Sequence, residues 1–228
     1  MMRRSQLLDH LANRIIQIER PHPIRVAIDG PDAAGKTTLA QELVAPLQAQ
    51  GRLVIRASVD GFHNPALIRY RRGRSSPEGY YHDSFNYIAL SESLLDPLGP
   101  GGSRQFRSSV FDSHTDSAVR ALVRVAEVNA ILLFDGVFLH RSELMEYWDF
   151  TIFVEVDFET TLARAEQRDR VQLGSVEAVR KLYEQRYIPG QRLYYAEARP
   201  KERADVVIDN NDLRNPVIVK DNSGETSA

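Results

Sequence analysis

The sequence predicts an α/β protein whose parallel β-sheet is flanked by helices on both faces. Short apolar runs of strand length alternate along the chain with stretches of helical periodicity, which favours a doubly wound sheet. Most of these runs are continuously apolar, as is typical of strands that are buried on both faces. Five strands are predicted, at residues 24–28, 53–55, 130–134, 151–156 and 205–208.

The first 20 residues predict an N-terminal helix. Ser5 can cap this helix, and Pro21 and Pro23 end it. Apolar residues recur along it at helical spacing and are interpreted as a packing stripe. They are Leu7, Leu8, Leu11, Ile15 and Ile16.

Two further helices are predicted at residues 37–49 and 159–170. Gly51 stops the first of them. We expect Pro46 to kink this helix or to end it early, because proline has no N–H to donate to the preceding turn.

The composition limits the classes of function. The 228 residues are enough for one large α/β domain, so we expect a single domain over 1–228 whose polar end, 221–228, is frayed. A net charge of -2 gives no reason to expect nucleic acid or an acidic membrane as partner, and favours a small-molecule substrate. With no cysteine and no apolar run long enough for a membrane span, we expect a cytoplasmic protein. The oligomeric state stays open, a homo-oligomer included.

The strongest chemical signal is the stretch GPDAAGKTT at residues 30–38. It fills the pattern G-x-x-x-x-G-K-[ST] between a predicted strand and a predicted helix, which is the context of a P-loop. Main-chain N–H groups there can grip phosphate, Lys36 would reach the β- and γ-phosphates, and the Thr37 hydroxyl would bind Mg²⁺. The predicted nucleotide cradle is Gly30, Pro31, Asp32, Ala33, Ala34, Gly35, Lys36, Thr37 and Thr38.

Two acids stand where predicted strands end, at the edge where an open α/β sheet binds its ligand. Asp135 can support Mg²⁺ opposite the Thr37 hydroxyl. Asp60 can accept the proton of a substrate hydroxyl as that hydroxyl attacks phosphorus. Both acids precede a glycine, so an ordinary Asp-Gly turn is the alternative at each position. Asp29 directly precedes the loop and is expected to shape it.

Arginines on the helix predicted at 159–170 are candidates for phosphate contacts. Arg164 and Arg168 are four residues apart and share one helix face, from which their guanidinium groups can close over a triphosphate. The alternative is a solvated face on which they pair with Glu166 or Asp169.

Several motifs together are similar to those of one family. They are the P-loop, VDGFH at 59–63, FDG at 134–136, ARAEQRD at 163–169 and ADVVIDN at 204–210. Over about residues 22–215 the chain resembles the uridine kinase, phosphoribulokinase and pantothenate kinase group of P-loop kinases, and bacterial uridine kinase-like proteins most of all.

This resemblance implies a P-loop NTPase fold with a small lid at roughly 164–190. It implies ATP and Mg²⁺ as cofactors and the phosphorylation of a hydroxyl on a small molecule, with Asp60 as the base. Lys36, Arg164 and Arg168 are then catalytic residues that act by contacting the phosphates. Gln185 falls near the substrate-binding glutamine of uridine kinases.

The acceptor is the least determined part of the prediction. Aromatic and polar side chains can form a pocket for a hydroxylated ring or pack under a long loop, and they are His63, Tyr80, Tyr81, His82, Phe111 and His114. Tyr81 stands where uridine kinases usually carry an acid, and VDGFHNP resembles pantothenate kinase as much as uridine kinase.

Two hypotheses follow. The first is an ATP-dependent kinase of a small metabolite, a nucleoside first and pantothenate or a sugar or polyol as alternatives. The second is a non-catalytic nucleotide-binding module that regulates a partner. Only the kinase needs a base at Asp60.

Overall fold

The computed structural model describes residues 3–222, so residues 223–228 of the tail predicted at 221–228 lie outside the described residues. Its strands are β1 (Ile24–Asp29), β2 (Val54–Ser58), β3 (Gln105–Phe106), β4 (Phe111–Asp112), β5 (Ser117–Ala118), β6 (Arg124–Val125), β7 (Ile131–Asp135), β8 (Phe150–Glu155), β9 (Val206–Asp209) and β10 (Val217–Asp221). Its α-helices are α1 (Arg4–Ile16), α2 (Lys36–Glu42), α3 (Val44–Ala49), α4 (Ala66–Arg69), α5 (Pro77–Asp83), α6 (Tyr87–Leu90), α7 (Ser142–Met145), α8 (Phe158–Leu173), α9 (Val176–Leu182), α10 (Ile188–Ala198) and α11 (Pro200–Arg203). A 3₁₀ turn spans Val59–Phe62, and π-helical turns span Ser91–Leu95 and Tyr183–Tyr187.

The main sheet has the strand order β10-β9-β8-β1-β7-β2. The five predicted strands are parallel neighbours in it, with β1 at the centre between β7 and β8. The predicted count of five is wrong by one, because β10 adds an antiparallel edge strand. This half-exposed edge strand lacks the continuous apolar run of a central strand, and Asp221 ends it instead of starting a frayed tail.

Apolar side chains cover both faces of this sheet. On β7, Leu132 and Phe134 face one core, and Ile131 and Leu133 face the other, as the two-residue period of a strand requires. The leucine and isoleucine stripe of α1 packs into the second core, which confirms its interpretation as packing. The predicted cap is wrong, since α1 has Arg3 at its N-cap and Ser5 lies within the helix.

The helix after the P-loop is interrupted as predicted. It ends at Glu42 and resumes at Val44, because Pro46 has no N–H for the carbonyl group of Glu42. The break keeps α2 short and close to the loop that precedes it.

Residues 105–125 leave the main sheet as two small antiparallel pairs, β3 with β6 and β4 with β5. Among residues 3–222, no helix combines the length and apolar character needed to cross a bilayer.

Candidate active site

The candidate active site is a cleft of about 860 Å³ at the carboxyl ends of β1, β2 and β7. The loop from β1 to α2 forms its floor. Gly30 has a φ of +147°, and a Cβ atom there would lie 2.3 Å from the carbonyl oxygen of Val154. Gly35 has a φ of +91° and begins α2 as its N-cap. Glycine is thus required at 30 both by backbone conformation and by the close approach of β8.

Asp29 fixes the start of this loop through hydrogen bonds. Its buried carboxylate accepts hydrogen bonds from the Gly30 N–H at 2.7 Å and from the Tyr194 hydroxyl. The ring Nδ1 of His140 lies 2.7 Å from the same carboxylate. Asp29 therefore shapes the loop and does not face the cleft.

Lys36 lies at the base of the cleft with only 9% of its surface exposed. Its Nζ donates to the carbonyl oxygen of Pro31 at 2.7 Å. Burial lowers the pKa of Lys36, and the nearby carboxylates of Asp32 and Asp29 act in the opposite direction. The ammonium group is thus hydrogen-bonded to the loop whose main chain would surround the phosphates.

Thr37 and Asp135 meet across the cleft floor. The Thr37 hydroxyl donates to Asp135 Oδ2 at 2.6 Å, and Arg56 Nη2 donates to Oδ1 at 2.8 Å. Hydroxyl and carboxylate oxygens are ligands that Mg²⁺ prefers, and phosphate oxygens commonly complete its coordination shell. The pair therefore fits Mg²⁺. Residues 3–222 contain no group of three or more acidic, histidine or cysteine side chains able to hold a metal without a nucleotide.

Asp60 lies in the 3₁₀ turn after β2 and is open to the cleft. Within residues 3–222 its carboxylate accepts no hydrogen bond, while its carbonyl oxygen lies 2.9 Å from the ring Nδ1 of His63. Desolvation within the cleft raises the pKa of Asp60, and the charges of His63 and Lys36 oppose that shift. An unpaired carboxylate with a raised pKa is suited to accept a proton.

Arg164 and Arg168 both line the cleft from α8. Arg164 Nη2 donates to the carbonyl oxygens of Asn210 and Asn211 at 2.9 and 2.8 Å. Arg168 forms a bidentate pair with Asp169 at 2.6 and 2.9 Å. Arg168 therefore pairs with Asp169, which was the alternative prediction for this residue. The pair nevertheless lies at the cleft.

Comparison with known proteins agrees with this geometry. The family model of the "Phosphoribulokinase / Uridine kinase family" matches residues 25–214. The chain belongs to this family.

Its relatives and structural neighbours have related names. "Uridine-cytidine kinase B" of Dictyostelium discoideum is 30% identical over 189 residues, covering 82% of this chain and 74% of that protein. The structure of a possible uridine kinase from Bacillus stearothermophilus has a TM-score of 0.70 at 24% identity and covers 89% of this chain and 97% of that one. A provisionally named fructose transport system kinase from Silicibacter sp. TM1040 has a TM-score of 0.71 at 23% identity, over 84% of this chain and 95% of that one. The two solved structures show that the fold is shared.

Membership of the phosphoribulokinase/uridine kinase family confirms the resemblance that was drawn from the motifs. It also confirms the predicted P-loop fold. It makes the chain a kinase by family. The substrate and the roles of individual residues are separate questions, which depend on the cleft itself.

Only part of the predicted acceptor pocket reaches the cleft of this family member. His63 and Tyr80 line it. Tyr81 is turned away and packs on Phe138 and Tyr194, with the Arg141 guanidinium 4.5 Å above its ring. Adjacent residues of a helix point about 100° apart, so Tyr80 and Tyr81 of α5 cannot share one face.

The other predicted substrate residues lie outside the cleft. His82 is on the surface beside the Tyr81 ring, and Gln185 is exposed on the π-helical turn. Phe111 lies in strand β4, and His114 is in the turn after it. In the structure these four positions do not contribute to the cleft that holds Asp60.

Sequence reasoning missed the aromatic wall opposite the P-loop. Tyr183 and Tyr187 line the cleft together with Phe85. The four-residue spacing of the two tyrosines, which places them on one helix face, is a signal that could have indicated this wall.

Proposed function

We propose that this protein transfers the γ-phosphoryl group of ATP to a hydroxyl of a small neutral metabolite, with a nucleoside as the first candidate. The observation that carries the proposal is the unpaired Asp60 carboxylate in the cleft that also contains Lys36 and the Thr37–Asp135 pair. A nucleotide-binding switch would need the P-loop and has no use for a base beside the phosphate site.

The chemistry follows from these groups. Asp60 accepts the acceptor's proton while the acceptor oxygen bonds to the γ-phosphorus and the bond to the bridging oxygen breaks, leaving ADP. Lys36 exchanges its bond to Pro31 for the phosphates. Arg164 has a buried Nη1 without a hydrogen-bond partner in the described chain, which leaves it available for phosphate oxygens. Mg²⁺ held by Thr37 and Asp135 would neutralise phosphate charge.

The cleft favours a neutral acceptor that carries a ring. Its aromatic wall offers stacking surface to a base or sugar. On the acceptor side Asp60 and Asp32 are acidic, and Arg168 is already neutralised by Asp169. A carboxylate acceptor such as pantothenate would meet the like charges of these two acids. The likeness to "Uridine-cytidine kinase B" also supports a nucleoside, with a sugar or polyol as the next candidate.

The test is ADP release across uridine, cytidine, pantothenate and sugar alcohols, in the wild type and in Asp60→Asn. We expect turnover with a neutral hydroxylated acceptor and a loss of at least about a hundredfold in the variant, because proton transfer contributes on that scale. Affinity for a nonhydrolysable ATP analogue should stay nearly unchanged. Asp9→Asn, which removes an exposed carboxylate on α1, is the matched control.

Two outcomes would contradict the proposal. Full turnover of Asp60→Asn would remove this residue from the mechanism. Nucleotide binding without ADP release for any acceptor would favour the regulatory module.

A further inference from the structure

The P-loop contains an acid that the phosphates do not need. Asp32 is the third residue of the loop, and its Oδ2 accepts hydrogen bonds from the Tyr80 hydroxyl at 2.5 Å and from Gln191 Nε2 at 2.8 Å. Tyr80 belongs to α5 and Gln191 to α10, so two helices on the far side of the cleft fix this carboxylate. Its Oδ1 accepts no hydrogen bond within residues 3–222, and the residue lines the cleft.

The charge of Asp32 is unfavourable for nucleotide binding. A carboxylate beside a triphosphate adds like-charge repulsion in a partly desolvated site. The main-chain amides and Lys36 grip phosphate without it. A fixed anion at this position is explained if it binds the acceptor and not the nucleotide.

Asp32 can take the place of an acid that is absent at position 81. Tyr81, which stands where uridine kinases usually carry an acid, is buried and turned from the cleft. Asp32 offers a carboxylate oxygen inside the same cleft as Asp60. A carboxylate oxygen is a strong acceptor for a hydroxyl donor, and an anion-to-hydroxyl bond is about twice as strong as a neutral one.

We infer that Asp32 determines acceptor specificity by binding a second hydroxyl of the acceptor through Oδ1, while Asp60 faces the hydroxyl that reacts. This inference rests on the proposed function and narrows it. The acceptor carries at least two hydroxyls, as a ribonucleoside or a sugar does. Tyr80 and Gln191 are positioning residues, since they hold Oδ2 and leave Oδ1 directed to the ligand.

The experiment removes the two partners of this bond separately and together. Wild type and Asp32→Asn are assayed with uridine, 2′-deoxyuridine and 3′-deoxyuridine, or with deoxy analogues of whichever acceptor the screen selects. We expect the variant to raise the acceptor KM about tenfold to a hundredfold, the range for a hydrogen bond to a charged group. The wild type should discriminate by a similar factor against one deoxy analogue, and Asp32→Asn by less than about threefold. The KM for ATP should stay equal or fall, because a like charge near the phosphates is gone.

Asp9→Asn is the charge-matched control and should keep the wild-type discrimination. Tyr80→Phe keeps the carboxylate but removes a donor that fixes it, so a partial loss of discrimination is expected even if Asp32→Asn melts too low to assay. A raised KM for ATP with unchanged discrimination between hydroxyls would overturn the inference and assign Asp32 to the nucleotide cradle. A wild type that phosphorylates no acceptor would overturn the proposed function and this inference with it.

Discussion

Arg186 gives the sharpest prediction about how the acceptor side of the cleft is built. It lies on the π-helical turn before α10, is only 4% exposed, and reaches across to the loop at 70–76. Its Nη1 donates to the carbonyl oxygens of Gly73, Arg74 and Ser76 at 3.0 to 3.3 Å. We predict that Arg186→Met releases this loop.

The size of the effect follows from those contacts. The two N–H groups of Nη1, with a longer bond from Nη2 to Arg69, amount to about three hydrogen bonds of about 1 kcal/mol each in net stability. The guanidinium also lies 5.1 and 5.7 Å from the rings of Tyr70 and Tyr80, while methionine replaces part of the lost packing. We expect a loss of about 3 kcal/mol, which is a fall of about 6–12 °C in melting temperature for a protein of this size.

The assay combines thermal unfolding with limited trypsin digestion. Arg71, Arg72 and Arg74 are already exposed, and release of the loop frees their backbone to enter the protease site. Arg192→Met is the matched control, since Arg192 is an exposed arginine on α10. It should melt within about 1 °C of the wild type. A shift below about 2 °C for Arg186→Met, without faster cleavage, would refute the role of Arg186 as the support of this loop.

Two further predictions concern the phosphate side of the cleft. Gly30→Ala should weaken binding of an ATP analogue at least about tenfold in calorimetry, because the added Cβ meets the Val154 carbonyl oxygen. Gly51→Ala is the control, because Gly51 also has a positive φ, of +76°, but has no atom within 4 Å of an added Cβ; equal losses in both variants would show that the close contact is irrelevant. In the pH profile of kcat/KM, activity should fall as pH drops through a midpoint above the ordinary carboxyl pKa of 3.8, because desolvation raises the pKa of Asp60 and a protonated Asp60 cannot accept a proton. An acidic limb that persists unchanged in Asp60→Asn would assign it to another group.

The local signals in the sequence were enough for the fold and for the P-loop end of the cleft. The P-loop is encoded within residues 30–37, and its glycines report a backbone path directly. Asp60 and Asp135 could be placed together because the carboxyl ends of parallel strands meet at one edge of a sheet. The edge strand β10 was missed, since one half-exposed strand carries little hydrophobic pattern.

The acceptor end was decided by contacts between distant parts of the chain. The phase of α5 turns Tyr80 toward the cleft and Tyr81 away, and one residue of uncertainty in a helix boundary is enough to exchange them. Arg186 meets Ser76 across 110 residues, and Asp32 meets Gln191 across 159. No local pattern reports such partners. The sequence alone therefore determined the P-loop and the carboxylates at the strand ends, and only the packing of α5 and α10 against the P-loop decided which aromatic and polar side chains line the rest of the cleft.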